Sequence, residues 1–130
     1  KKGVIKDQSL LKKKFFLHSH SGKLPEYKGS TTIYYSLLKE KKIWCDTFFL
    51  SKKIDQGKII CSNKYPIPKN INSIDKNYDS KIRALNLISA LKKLEKKKIK
   101  LKVNKKIKNS YYYIMHPILR LLTINKIKNV

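Results

Sequence analysis

A chain of 130 residues with 41% hydrophobic and 10% aromatic content can fill the core of one modest domain, and it contains no run of 18 apolar residues that would cross a membrane as a helix. Its 32 basic residues against 8 acidic give a net charge of +24, which points first to nucleic acid. Only Arg83 and Arg120 are arginine, the residue nucleic-acid interfaces recruit for bidentate contacts; lysine, isoleucine and asparagine are inflated together, as A- and T-rich codons dictate, so the charge implies weak, non-specific nucleic-acid binding at most.

Residues 1–14 set Val4, Ile5, Leu10 and Leu11 among lysines and read as a helix end or a basic surface segment. They lack the long apolar run and small-residue cleavage site of a secretory signal, and the start at Lys1 rather than methionine reads as a fragment. Phe15, Phe16 and Leu17 predict a short buried strand, ending at a polar loop of His18, Ser19, His20, Ser21 and Gly22. Pro25 and Gly29 punctuate the loop that follows. Ser30, Thr31 or Thr32 caps a helix predicted over 32–41, where Ile33 and Leu37, and Tyr34 and Leu38, pair one turn apart.

Residues 43–50, IWCDTFFL, are β-formers and predict a strand; 51–57 is a turn, 58–62 a second strand and 65–68 an extended edge, together an antiparallel hairpin. Cys45 and Cys61 lack CxxC spacing, so they imply neither a zinc knuckle nor a disulfide framework, and a reduced, cytoplasmic setting is the default. Residues 69–78 read as polar linker. Asp79 or Ser80 opens the clearest helix, to about residue 97, with Ile82, Leu85, Ile88, Leu91 and Leu94 as its apolar stripe and Leu87 widening it. Residues 96–109 are a lysine-dense solvated loop, followed by the aromatic run 111–115, His116-Pro117 and an apolar segment to Leu122. Strand, loop, helix, hairpin and long helix predict an α/β domain around a parallel sheet, with its chemistry at strand ends.

Two segments hold candidate chemistry. His18 and His20 flank Ser19, and side chains two apart on an extended chain point the same way, so both rings can share a pocket. A metal there needs a third ligand, such as Asp55 or His116; without one the pair reads as surface histidines. Asp55 followed by Gly57 is by itself an ordinary turn. Tyr34, Tyr35, Tyr111, Tyr112 and Tyr113 could stack on bases in a basic binding module, but the apolar positions around them place them in the core instead.

Taken together, HSHSGKLPEYKGSTTIYYSLL at 18–38 and IDQGKII at 54–60 resemble the core of the 10-formyltetrahydrofolate-dependent formyltransferases. That family typically shows Asn-x-His at a strand end, Ser-Leu-Leu-Pro, an aromatic with Arg-Gly, then Asp-Thr-Gly. Here the histidine matches His20, the proline loop falls on Gly22, Lys23, Leu24 and Pro25, the aromatic-basic-glycine element on Tyr27, Lys28 and Gly29, and the last motif on Asp55 and Gly57. His18 stands at the asparagine and Gln56 at the threonine. The resemblance covers about residues 15–68.

It implies a partial Rossmann-like formyltransferase domain, its first half missing, with a hairpin and a long C-terminal helix. Residues 1–98 would be the C-terminal part of the catalytic domain, and 99–130 a basic linker with a short apolar tail. It implies that His20 handles the proton, that Asp55 orients it, and that His18 donates to the formyl oxygen. The folate co-substrate would lie on Gly22–Pro25 and the amine substrate near Tyr27, Lys28 and Gly29, with no metal needed. Nothing after residue 98 has the strand-turn spacing of the barrel that helps methionyl-tRNA formyltransferases hold tRNA, which favours a small amine such as an amino sugar on a nucleotide. Methionyl-tRNA, a non-catalytic basic module and an inactive fragment are the alternatives.

Overall fold

The computed structural model of the chain describes residues 15–96, 100–104 and 111–128. The basic segment 1–14 and most of the lysine-dense stretch lie outside the described residues. Among those described, no helix is long and apolar enough to cross a membrane.

The domain is α/β, as the element pattern predicts, but its main sheet is antiparallel throughout. Strands β1 (Leu17–His20), β3 (Ile43–Phe49) and β4 (Ile59–Tyr65) lie in the order β1-β3-β4. The pairing of β1 with β3 runs from Leu17 opposite Phe49 to His20 opposite Asp46. A strand-helix-strand order alone does not fix direction: the loop over 21–31 carries the chain onward before helix α1 (Thr32–Glu40) begins, and β3 then enters beside β1 in the opposite sense. Helix α1 ends at Lys41, whose left-handed backbone turns its N–H onto the Leu37 carbonyl.

The first strand also lies further along than its apolar run suggests. Phe15 is 89% exposed, while His18, Ser19 and His20 sit within the ladder. Their polarity reads as a loop in sequence. In the sheet Ser19 is satisfied across the strands, its hydroxyl 2.7 Å from that of Thr47. The β3–β4 hairpin forms as predicted, with an irregularity between Thr47 and Phe48.

The main core joins Ile33, Tyr34 and Leu37 of α1 to Ile43 and Cys45 of β3. Ile71 and Ile74 belong to it too, so residues 69–78 are not a linker. A π-helical turn at Ile74–Tyr78 feeds directly into α2 (Asp79–Glu95). Of the expected stripe, helix α2 buries Ile82 and packs Leu94 against the core, but Leu85, Ile88 and Leu91 are 45–49% exposed, and Asn86 and Ala90 are inside in their place. The small Ala90 and the hydrogen-bonding Asn86 lie against β3 and β4, which suits a close helix-sheet contact better than a row of leucines.

Residues 111–128 return to the domain. Strand β5 (Tyr111–Tyr112) pairs in parallel with β2 (Lys28–Gly29), and α3 (Pro117–Lys128) packs on α1. Met115 and Ile124 enter the main core. Gly29 has φ +102°, and a Cβ there would stand 2.1 Å from the Tyr112 carbonyl oxygen, so this crossing requires glycine. Of the tyrosines, Tyr34 is buried and Tyr112 stacks on Tyr27, but Tyr111 and Tyr113 are exposed rather than in the core.

Candidate active site

Two elements bring the candidate residues together. His18 and His20 leave the same face of β1, their ring centroids 6.4 Å apart. Asp55 comes from the β3–β4 connection, at a left-handed backbone position (φ 51°). Gly57 fixes that connection: a Cβ would lie 1.5 Å from the Phe49 carbonyl oxygen, so the loop can close on β3 only with glycine. The Gly29 N–H donates to Asp55 Oδ2 at 2.8 Å, and Asn104 Nδ2 donates to the Asp55 carbonyl at 2.7 Å. Asp55 is thus held once through its carboxylate and once through its backbone.

His20 is buried and pinned. Its Nε2 lies 2.7 Å from the Tyr27 carbonyl oxygen, which can only accept, so Nε2 carries the hydrogen. Nδ1 faces Asp55 Oδ2 at 3.9 Å, beyond a direct hydrogen bond but within ion-pair range. Burial lowers the His20 pKa below its usual value, opposed by the Asp55 charge and the bond to Tyr27. The neutral ring is favoured, with Nδ1 as its open acceptor. His18 sits edge-on to Phe48 at 5.5 Å between centroids. One ligand atom each from His18, His20 and Asp55 lie within 4.8 Å of one another.

All three line a cleft of about 740 Å³. Gly29 lines it as well; Tyr27, Lys28 and the loop Gly22–Pro25 do not. Tyr27 turns inward, its hydroxyl donating to Glu40 at 2.5 Å, and Lys28 is buried. Leu24 is buried with Phe48 and Ile59, its N–H donating to Asp46 Oδ2 at 2.7 Å, and the Leu24–Pro25 peptide is cis. Gly22 backs His20 so closely that a Cβ would stand 3.0 Å from Nε2. Gly22 thus stands behind the histidine, and the wall of this cleft carries Leu50, Ile54, Lys52 and Lys53.

The sequence reading missed the opposite wall. The Ser21 hydroxyl donates to Asp79, and Arg83 donates through Nε to the Ser19 carbonyl at 2.9 Å while lying 3.6 Å from Asp79. Tyr34 donates to Asp75 at 2.9 Å, and Arg120 pairs with the same carboxylate. A signal existed: these are the two arginines of a lysine-rich chain, and both secure acidic groups of the cleft wall.

No protein-family model and no curated protein matches the sequence. Solved structures do match in fold. HypX from Aquifex aeolicus, in complex with tetrahydrofolic acid, superposes with a TM-score of 0.64 at 20% identity over 87% of this chain and 20% of that one. The formyltransferase PseJ from Anoxybacillus kamchatkensis, in complex with UDP-4,6-dideoxy-4-formamido-L-AltNAc and tetrahydrofolate, gives 0.64 at 18% identity over 85% of this chain and 60% of that one. The N-formyltransferase from Helicobacter canadensis, in complex with folinic acid and dTDP-3-aminofucose, gives 0.57 at 22% identity over 75% and 37%. The chain spans one fifth of HypX and about three fifths of PseJ. The chain thus shares the α/β fold of part of these formyltransferase structures.

Proposed function

We propose that the chain supplies the acid–base residues of a formyltransferase, which passes the formyl group of 10-formyltetrahydrofolate to a small amine, an amino sugar on a nucleotide. One observation supports this above the rest: His20, with its tautomer fixed by Tyr27, turns a bare Nδ1 toward Asp55 in the cleft. The amine lone pair attacks the formyl carbon, and the carbonyl π pair moves onto oxygen. His20 Nδ1 takes the proton the amine must lose. Asp55 stabilises the resulting imidazolium, and His18 donates to the oxyanion. Collapse restores the carbonyl, breaks the bond to N10 and returns the proton from His20 to N10. A formamide and tetrahydrofolate leave.

The apolar Leu50 and Ile54 suit a pterin face, and Lys52, Lys53 and Arg83 suit the diphosphate of a nucleotide sugar. The nucleotide sugars bound by PseJ and by the Helicobacter enzyme support the same substrate class. In the protein at its full natural length, His20→Ala and Asp55→Asn should each lower turnover by roughly a hundredfold or more, the scale for a positioned acid–base group. Combined, they should cost little more than one alone, because they act as a unit. His18→Asn should preserve activity. Variants of His20 and Asp55 that turn over at the unmodified rate would remove the assignment.

A further inference from the structure

Two acceptors face each other in the cleft. The bond to the Tyr27 carbonyl leaves no hydrogen on Nδ1 of a neutral His20 ring, and across 3.9 Å stands Asp55 Oδ2. Lone pair against carboxylate is favourable only when something electropositive lies between them. His18 brings a third donor atom from the same strand face, within 4.8 Å of the other two. We propose that His18, His20 and Asp55 bind a divalent transition-metal ion of the zinc class, with its remaining positions open to the cleft.

The chemistry of the donor set fits. Two imidazoles and one carboxylate suit zinc with an open position, and suit neighbouring first-row ions. The surroundings also match what metal ligands need. The second nitrogen of His20 donates to a backbone carbonyl, and Asp55 Oδ2 is oriented by the Gly29 N–H while keeping a further lone pair. Bonds of about 2.0–2.1 Å put two tetrahedral ligands roughly 3.4 Å apart. The trio, within 4.8 Å, is somewhat wider than this, so binding draws the three side chains together around the ion. Lys52 and Lys53 on the rim oppose a cation, and Asp75 and Asp79 in the same cleft are already paired with Arg120 and Arg83, so the negative charge at the site is that of Asp55 itself. An asparagine at position 18, as in the family the sequence resembles, leaves only two good ligands, so the site belongs to this chain's own substitution.

The proposal does not rest on the transferase reading. If both hold, zinc withdraws Nδ1 from proton transfer and inhibits it. Chelator-treated protein titrated with Co²⁺ should develop visible absorption saturating at one ion per chain, and Zn²⁺ should displace it. His18→Asn and Asp55→Asn should each weaken binding by at least about tenfold, the scale on which even outer-shell partners act, whereas His116→Ala should change nothing. Should a variant fail to fold, the unmodified protein still decides. Ring-proton resonances of His18 and His20 should broaden with Co²⁺ while that of His116 stays sharp. Broadening of His116 alone, or of no histidine at all, overturns the metal site. Formyl transfer is assayed with chelator present, so its failure leaves the metal result standing.

Discussion

Asp46 shows how much a single side chain depends on what surrounds it. It is fully buried in β3, accepts from the Leu24 N–H through Oδ2, and leaves Oδ1 without a partner. Burial raises its pKa from 3.8 to about 6, opposed by the nearby Ser62 hydroxyl and by the hydrogen bond from the Leu24 N–H. The folded state then holds more protons than the unfolded one between those values, so the Asp46 contribution to stability falls as pH rises through that window. His20 acts oppositely: its lowered pKa makes the folded state the poorer proton binder just below 6.5, so its contribution rises with pH there. Asp46→Asn can keep the hydrogen bond from the Leu24 N–H without the charge. We expect thermal melts near pH 3, below both values, to match the unmodified protein and melts at pH 8 to show a gain, up to about 3 kcal/mol as an upper bound. A gain of equal size at both pH values would mean that the charge is not what destabilises. His20 and Asp55 differ from Asp46 in being paired residues that open onto the cleft, and their pairing comes from two separate elements.

At the scale of elements, α2 is held to the sheet by Asn86. Its Nδ2 donates to Thr47 at 2.8 Å, and its Oδ1 accepts from Asn63 at 2.7 Å and from Tyr65 at 3.3 Å. Thr47 in turn meets Ser19 of β1, so one amide ties α2 to all three strands of the sheet beneath the histidines. Asn86→Ala would leave several buried groups unpaired and should cost about 3 kcal/mol, read as a lower urea midpoint with an unchanged slope. Leu85→Lys and Ile88→Lys, on the stripe that sequence alone places inside, should each stay within about 0.5 kcal/mol. If the leucine stripe proved the costly one, the orientation of α2 described above would be wrong. Apolar spacing marked this helix correctly, but Ile82, Asn86 and Ala90 share a face just as regularly as the leucines. Only the sheet against which the helix packs selects between them.

Across the whole molecule, exposed apolar surface and charge set the solution behaviour. Among the described residues β1 is hydrogen-bonded on one side only, and Phe15 beside it and Ile88 and Leu91 on α2 are exposed. An open edge flanked by apolar side chains invites pairing with another chain. Sedimentation should show concentration-dependent self-association, reduced by Ile88→Lys; a cooperative monomer at high concentration would mean that the edge is harmless. The net charge of +24 should give binding to any polyanion that falls steeply with salt and ignores base sequence. Sequence-selective RNA binding near physiological salt would instead restore the nucleic-acid module that the composition first brings to mind.

The sequence by itself determined the local elements, because β-formers in 43–50 and the turn around Gly57 act through neighbours along the chain; the expected side-chain cap of helix α1 does not form, since the Thr31 hydroxyl accepts from the distant Met115 N–H instead. It also marked His20 and Asp55 as candidates, since the motifs carrying them keep their order and spacing. Whatever depends on residues far apart in the chain was decided only by the tertiary structure. The antiparallel sense of β1 against β3, the burial of Asn86 in place of the leucines, and the return of Tyr111–Tyr112 to Lys28–Gly29 are of this kind. So is the cleft wall: Gly22 follows the histidine in sequence yet stands behind it, while Arg83 reaches it from a helix that starts at Asp79. Periodicity tells which residues share a face. It carries no information on what that face meets, because the energy of burial belongs to the pair of surfaces in contact.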